Sequence, residues 1–274
     1  MPEPAGALFE SLLDIMARLR GPGGCPWDLE QTRESLKPFL IEEAYEVLEA
    51  LNSGGGEALL EELGDLLFQV VFHAHLAQEL SEFSMPDVLE HLVAKMTRRH
   101  PHVFGDRTVD SAREALSQWE AIKHSEANAE GKSRSVLDGV PRSLPALLRA
   151  QRLQVKAGRV GFDWQSPEAA WAKVEEEASE VSRALASGDP AKVREEFGDL
   201  LFSLVNVARL LGMDAEGSLQ AAVDKFCRRF RLMEAEMTAG GRALGEASLE
   251  ELERVWERAK ARDGEPPGMR NADP

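Results

Sequence analysis

Two stretches of the sequence each hold carboxylates at the spacing of one helix face. Glu43 and Glu46 lie three positions apart, and Glu62 and Asp65 repeat that spacing after a glycine-rich segment. Residues three apart share a face of an α-helix, and a tight turn makes two consecutive helices antiparallel neighbours. Both acidic pairs can therefore face one another across one groove. Four convergent carboxylates without histidine or cysteine are hard oxygen ligands, which suits Mg²⁺ and also Mn²⁺.

The same set of acids occurs again further along the chain, within the related segments ELGDLLF and EFGDLLF. The second set lies 134 positions after the first and consists of Glu177, Glu180, Glu196 and Asp199. A KxxRR motif and a WExxK motif follow in each copy, at offsets of 130 and 137 positions. Four motifs that recur in one order indicate an internal duplication.

The basic motifs complement the acidic ones. Mg²⁺ held by carboxylates usually keeps waters and shares a substrate phosphate. Lys95 and Arg99 in the first copy, like Lys225 and Arg229 in the second, lie one helical turn apart and can reach one polyanion. The WExxK motif pairs Trp119 with Lys123 and Trp256 with Lys260. Each tryptophan can stack on a base beside a cation, or can instead anchor a core beside a solvated lysine.

Most acidic helices are simply solvated surfaces, and two observations argue against that interpretation here. Asp65 and Asp199 lie inside apolar runs, where a buried carboxylate without a partner would be costly. Both copies also keep the same spacing. Gly64 and Gly198, beside these acids, cost a helix about 1 kcal/mol each relative to alanine. We expect these glycines to permit close helix approach next to the site.

Apolar residues recur with helical period along nearly the whole chain, so the sequence predicts an all-α fold of two tandem helical bundle domains. The predicted repeats span residues 1–124 and 143–264, with a linker at 125–142 and a disordered tail at 265–274. Predicted helices in the first repeat are 8–19, 35–51, 58–80 and 85–99. For the third of them, the predicted core-facing side is Leu63, Leu66, Leu67, Val70 and Ala74.

Composition limits the classes of partner. The chain has 274 residues, with 48 Asp and Glu against 32 Lys and Arg and a net charge of −16, which disfavours nucleic-acid polymers and anionic membranes. Two cysteines exclude a disulfide framework. The sequence has neither an apolar stretch of membrane-spanning length nor a signal peptide pattern, so we expect a soluble, cytoplasmic protein.

Taken together, these motifs resemble the MazG family of nucleoside triphosphate pyrophosphohydrolases. The resemblance includes the tandem arrangement and the RRHPHVFG run at residues 98–105, and it extends over nearly the whole chain. It implies an all-α NTP pyrophosphatase that requires Mg²⁺ and forms a homodimer of helical bundles. The implied reaction cleaves an NTP or dNTP between the α- and β-phosphates and yields NMP and pyrophosphate.

The resemblance also implies roles for individual residues. The metal ligands would be Glu177, Glu180, Glu196 and Asp199 in repeat two and Glu43, Glu46, Glu62 and Asp65 in repeat one. Apart from the resemblance, the position of Glu176 beside these ligands makes it a candidate general base that accepts the proton of the attacking water. The nucleotide would be bound by Lys173, Lys192, Lys225, Arg229, Trp256 and Lys260. Repeat one has Phe39 and Ala58 where repeat two has Lys173 and Lys192. We therefore expect repeat two to be the better catalyst and repeat one to be weaker or structural.

One competing function is a non-catalytic acidic helical interaction module, for which the acids are only a surface. A di-iron carboxylate bundle is disfavoured, because that chemistry needs Glu-x-x-His pairs and neither set of acidic helices has one. The motifs leave open the base and sugar preference, the identity of the general base, the number of metal ions and the cellular role.

Overall fold

The computed structural model describes residues 4–129 and 135–263, and all regular elements of these residues are helical. The all-α prediction is therefore confirmed. The α-helices are α1 (Ala5–Leu19), α2 (Pro26–Glu30), α3 (Lys37–Asn52), α4 (Glu57–Glu79), α5 (Met85–Arg99), α6 (Pro101–Phe104), α7 (Ala112–Ala129), α8 (Ala146–Arg159), α9 (Pro167–Ser187), α10 (Pro190–Leu210), α11 (Ala215–Ala239) and α12 (Leu249–Asp263). The predicted disordered tail and part of the predicted linker lie outside the described residues. None of the described helices is long and apolar enough to cross a bilayer.

The chain divides into two compact units, residues 1–131 and 132–274. In the first unit, α3 and α4 form a hairpin, and α1 and α5 pack against α4. The core of this unit is formed by buried side chains from α1, the α3 N-cap and α4, namely Met16, Leu36, Val71, Phe72 and Leu76. The core lies at the C-terminal half of α4, which leaves the acidic N-terminal half accessible.

The second unit contains two helical hairpins. The first is formed by α9 and α10, with Ala170, Val174 and Val207 buried between the helices. The second is formed by α11 and α12 around a separate core of Met233, Met237, Val255 and Ala259. Helix α8 packs against both α10 and α11. The second unit thus places the acidic motifs on one hairpin and the later basic motifs on the other.

The predicted core-facing side of α4 is wrong in part. Leu63, Leu67 and Val70 are 50%, 40% and 39% exposed, whereas Val71 and Phe72 are almost fully buried. Helix α4 has apolar residues on more than one side, and hydrophobic periodicity alone does not indicate which side faces the core. The other side faces outward in the single chain.

The Arg242–Glu251 ion pair predicts a pH-dependent contribution to the stability of the second unit. The Arg242 guanidinium and the Ser248 N–H hydrogen-bond to the Glu251 carboxylate and lower its pKa from 4.5 to about 2. Stability from this group is therefore present above pH 4.5 and is lost as the pH falls through about 2. In urea denaturation between about pH 2 and pH 6, Glu251→Gln should lose less stability on acidification than the wild type. The control is Glu250→Gln, because the Glu250 carboxylate lies 4.0 Å from Arg254. This variant should lose as much stability on acidification as the wild type.

Candidate metal and nucleotide site

The acidic motifs of the second unit lie on the α9–α10 hairpin, which has strong local determinants. Ser166 caps α9 by accepting a hydrogen bond from the Ala169 N–H, at 3.3 Å. Gly188 ends α9 with a φ of 68°, a left-handed conformation that favours glycine. Asp189 then caps α10 by accepting from the Ala191 N–H, at 2.9 Å. The tight turn reverses the chain and places the two acidic motifs opposite one another.

Three carboxylates converge in each unit. In the second unit, one oxygen from each of Glu177, Glu196 and Asp199 lies within 4.8 Å of the other two. The first unit has the equivalent group of Glu43, Glu62 and Asp65 on α3 and α4. Three of the four predicted ligands are therefore brought together in each copy.

The fourth predicted ligand lies outside each of these groups. In repeat two, Glu180 is paired with Arg183, one turn along α9, at 3.0 Å. In repeat one, Glu46 lies close enough to Glu43, a member of the cluster, for its negative charge to raise the pKa of the Glu43 carboxyl.

The residues of the second cluster fit a divalent cation. Glu177 is only 5% exposed. Its Oε1 atom lies 2.6 Å from the Lys173 Nζ atom, while its Oε2 atom is buried and has no hydrogen-bond partner among the described residues. A buried carboxylate oxygen without a partner is unfavourable, and a bound cation would satisfy it. The donor set consists only of carboxylate oxygens, which is the preference of Mg²⁺.

The electrostatics of both clusters also favour a cation. Burial raises the pKa of the Glu196 carboxyl, and the negative charges of Glu180, Glu195, Glu177 and Asp199 raise it further. In repeat one, burial raises the pKa of Glu43, and the charge of Asp65 adds to this effect. Like charges held at this distance repel one another, and a bound divalent cation would reverse that repulsion.

Two arguments from the sequence do not hold in the structure. Asp65 and Asp199 are exposed rather than buried, and several of their apolar neighbours are exposed as well, including Leu201 and Phe202 at 42% and 47%. A Cβ atom placed on Gly64 or Gly198 would meet nothing within 4 Å, so neither glycine serves a close helix approach within the described part of the chain. The metal interpretation rests instead on the convergence of the acids and the burial of Glu177.

Comparison with known proteins places both carboxylate hairpins in one family. Residues 31–104 and 165–231 match the model of the MazG nucleotide pyrophosphohydrolase domain. The chain belongs to the MazG family. It is 48% identical, over 94% of this chain and 98% of the relative, to the nucleoside triphosphate pyrophosphohydrolase/pyrophosphatase MazG of Thermotoga maritima. It is 47% identical to the nucleoside triphosphate pyrophosphohydrolase of Escherichia coli K12, over 93% and 98% of the two chains.

The predicted nucleotide-binding residues of this MazG chain fall into two groups. Lys173 lies beside the carboxylate cluster. Its ammonium is 2.6 Å from the Glu177 carboxylate and 3.0 Å from the Glu176 carboxylate. These two hydrogen bonds raise the pKa of Lys173. Lys192 lies in the first turn of α10 and is exposed.

The second group lies on the α11–α12 hairpin and comprises Lys225, Arg229, Trp256 and Lys260. Within residues 135–263, no hydrogen bond, ion pair or ring contact joins this group to the acidic cluster. The structure therefore places only Lys173 of the basic set directly on the carboxylates.

The tryptophans of the WExxK motifs differ between the two MazG units. Trp256 packs against the α11–α12 core and lies 5.4 Å from the Phe226 ring. Trp119 instead has the Arg99 guanidinium and the Lys123 ammonium near its ring, at 5.4 Å and 5.3 Å from the centroid. Trp256 is thus in part the core anchor that the sequence offered as one alternative. Trp119 is contacted by cations of its own unit.

Sequence reasoning missed one further acid in each MazG unit. Glu126 and Asp263 each lie seven positions after the tryptophan of the WExxK motif, and each hydrogen-bonds to both arginines of KxxRR. The shared spacing after the tryptophan was the available signal.

Proposed function

We propose that repeat two hydrolyses nucleoside triphosphates between the α- and β-phosphates in a Mg²⁺-dependent reaction that yields NMP and pyrophosphate. The supporting observation is the buried Glu177 carboxylate, which has one unpartnered oxygen and lies beside Glu196, Asp199 and Lys173. Relatives covered almost end to end by this chain have the name nucleoside triphosphate pyrophosphohydrolase. We further propose that the enzyme is cytoplasmic and cleanses or adjusts the nucleotide pool.

In this mechanism Glu177, Glu196 and Asp199 would hold Mg²⁺, with Glu180 completing the predicted ligand set. When bound, the ion supplies charge neutralisation at the phosphates and a lowered pKa for a coordinated water. The Lys173 ammonium, at the edge of the cluster, would bind a phosphate oxygen. Hydrolysis would form a bond from a water oxygen to the α-phosphorus and break the bond from that phosphorus to the bridging oxygen, so that NMP and pyrophosphate are the products. Glu176, which is 57% exposed and 3.0 Å from Lys173, would accept the proton of the water.

We also propose that repeat one is the weaker catalyst. Phe39, which stands at the position of Lys173, packs against the core of the first unit and meets the Trp27 ring edge-on at 5.7 Å. Ala58 stands at the position of Lys192 and offers no cation. Repeat one thus retains three convergent carboxylates but lacks both of these phosphate contacts.

A homodimer, as the resemblance implies, would cover the exposed apolar side of the carboxylate hairpins. Large apolar side chains with 40% or more of their surface exposed occur on α3, α4, α9 and α10, including Ile41, Leu48, Leu60, Leu63, Phe197, Leu201 and Phe202. Monomeric proteins rarely expose large contiguous apolar patches, so exposed side chains of this kind favour a covering partner. We expect sedimentation equilibrium to give a dimer mass, and a Leu63→Asp/Leu201→Asp double variant to give a monomer mass. A wild type that sediments as a monomer would contradict the dimer.

The test of function is a product assay on a panel of NTPs, dNTPs and modified nucleotides with Mg²⁺. We expect pyrophosphate and the nucleoside monophosphate in equal amounts. Orthophosphate as the sole product would refute cleavage between the α- and β-phosphates. The alternative, an acidic helical interaction module, predicts no turnover and no rise in unfolding temperature with Mg²⁺ and a non-hydrolysable NTP, because only a ligand of the folded state stabilises it.

A further inference from the structure

Asp263, the last residue of α12, hydrogen-bonds to two consecutive arginines of α11. Arg229 Nε donates to Oδ2 at 2.9 Å, and Arg228 donates to both carboxylate oxygens. The Asp263 side chain is only 8% exposed, and both of its oxygens accept hydrogen bonds. The two guanidinium groups lower the pKa of Asp263 to about 2, so the carboxylate is charged at neutral pH. A charged carboxylate with several charge-assisted hydrogen bonds is held in one orientation.

The first unit contains the same arrangement with a different acid. Glu126 on α7 accepts hydrogen bonds from Arg98, at 2.6 Å, and from Arg99, at 2.7 Å, both on α5. An acid of different length makes the equivalent contact between the equivalent helices. The contact is therefore a feature of the repeat and not of one surface of the chain.

Asp263 connects the predicted nucleotide-binding residues of α11 with those of α12. Trp256, Lys260 and Asp263 lie at i, i+4 and i+7, which is one face of α12. Arg229 lies one turn after Lys225 on α11. The hydrogen bond between Arg229 and Asp263 therefore fixes the α11 cation relative to the face of α12 that holds the tryptophan and the lysine.

The two units differ in the number of guanidinium nitrogens through which the second arginine of KxxRR donates to the carboxylate. Arg229 donates to Asp263 only through Nε, and its terminal nitrogens make no hydrogen bond to the described part of the chain. Arg99 donates to Glu126 through both Nε and Nη2 and also lies over the Trp119 ring. Arg229 thus has one edge fixed and the other available to an anion, whereas Arg99 is more fully engaged within its own unit.

We propose that Asp263 is a positioning residue that orients the Arg229 guanidinium toward a substrate phosphate. This inference rests on the proposed function, because Arg229 binds phosphate only if repeat two takes a nucleoside triphosphate. An arginine already fixed in its binding orientation loses less conformational entropy when it forms a bidentate contact with phosphate. Asp263 acts through Arg229 and does not itself contact the substrate. A carboxylate that instead competed with phosphate for Arg229 would have the opposite effect on affinity.

The experiment measures KM and kcat for pyrophosphate release from ATP with Mg²⁺ in the full-length chain. Asp263→Ala should raise KM about tenfold, equivalent to about 1.4 kcal/mol, with kcat changed less than about threefold. Asp263→Glu should restore most of the affinity, because Glu126 makes the same contact in unit one. Glu236→Ala is the matched control: Glu236 also bridges α11 and α12, through Arg258 at 2.7 Å, but does not touch Arg229. Its KM should stay within about twofold of the wild type.

A double-mutant cycle separates positioning from general stabilisation. In an Arg229→Ala background, Asp263→Ala should have no further effect on KM, because its target is absent. Equal KM values for Asp263→Ala and the wild type would overturn the proposal, as would a lowered KM. Additive effects in the cycle would also overturn it. If Asp263→Ala does not fold, Asp263→Asn is measured by the same criteria. A wild type without pyrophosphate release would instead refute the proposed function, and this inference with it.

Discussion

Asp199→Asn is expected to lower the rate of Mg²⁺-dependent pyrophosphate release about 100- to 1,000-fold, the range seen when one electrostatic group is removed from an active site. Asparagine keeps the shape of the side chain but removes one of the carboxylate charges that would hold the metal ion. Asp199 is exposed, so the variant leaves no buried group without a partner. We therefore expect the helical circular dichroism and the metal-free unfolding temperature to stay close to those of the wild type. The rise in unfolding temperature on addition of Mg²⁺ should be much smaller.

Glu195→Gln is the matched control for this variant. Glu195 lies on the same helix, is exposed and is next to Glu196, but it is not part of the three-oxygen group. The Glu195→Gln variant loses one negative charge from the same hairpin and should retain at least about half of the activity. If Asp199→Asn were as active as Glu195→Gln, the carboxylate cluster would not be the metal site of catalysis.

The second large effect is expected for Lys173→Met. Methionine keeps most of the apolar length of the side chain but removes the ammonium that contacts Glu177 and the proposed phosphate. We expect kcat/KM for pyrophosphate release to fall about 100-fold, because a charged contact to the transferred group is lost. We also expect a lower unfolding temperature in the absence of metal, since the nearly buried Glu177 carboxylate loses its counter-ion.

The effect of Lys173→Met on the unfolding temperature should depend on Mg²⁺. A bound cation would replace the missing positive charge at Glu177, so the difference in unfolding temperature between Lys173→Met and the wild type should shrink when Mg²⁺ is added. Arg194→Met removes an exposed cation from the same hairpin and should show no such dependence on Mg²⁺. A temperature difference that is the same with and without the ion would contradict binding of the metal at Glu177.

The helices and the duplication follow directly from the sequence. All four α-helices predicted in the first repeat begin and end within about three residues of the observed bounds, because apolar period and glycine-rich stops act locally. Helix α3 begins at Lys37, two residues later than predicted, with Pro38 in its first turn. The constant spacing of the acids predicted their convergence, although Glu46 and Glu180 remain outside the three-oxygen groups.

The sequence pattern does not indicate which side of each helix packs against its neighbours. Local pattern did not distinguish the exposed Leu63 and Leu67 from the buried Val71 and Phe72, because burial depends on which neighbour a helix packs against. The exposure of Asp199 was missed for the same reason. Asp263 was missed because its partners lie on another helix. Arg229 and Arg228 are 34 and 35 positions away from it in the sequence.

The edge-on contact between Trp27 and Phe39 limits how far substitutions could make the first copy resemble the second. Where the second copy has Lys173, the first copy has an aromatic ring that is now part of a packed core with its own neighbours. A lysine introduced at position 39 would have to displace that packing, and position 58 would still offer no cation. We expect Phe39→Lys alone to destabilise the first unit without creating a second centre of turnover. Conversion of the first copy into a second catalytic copy would therefore require coordinated changes at Trp27, Phe39 and Ala58 rather than a single substitution.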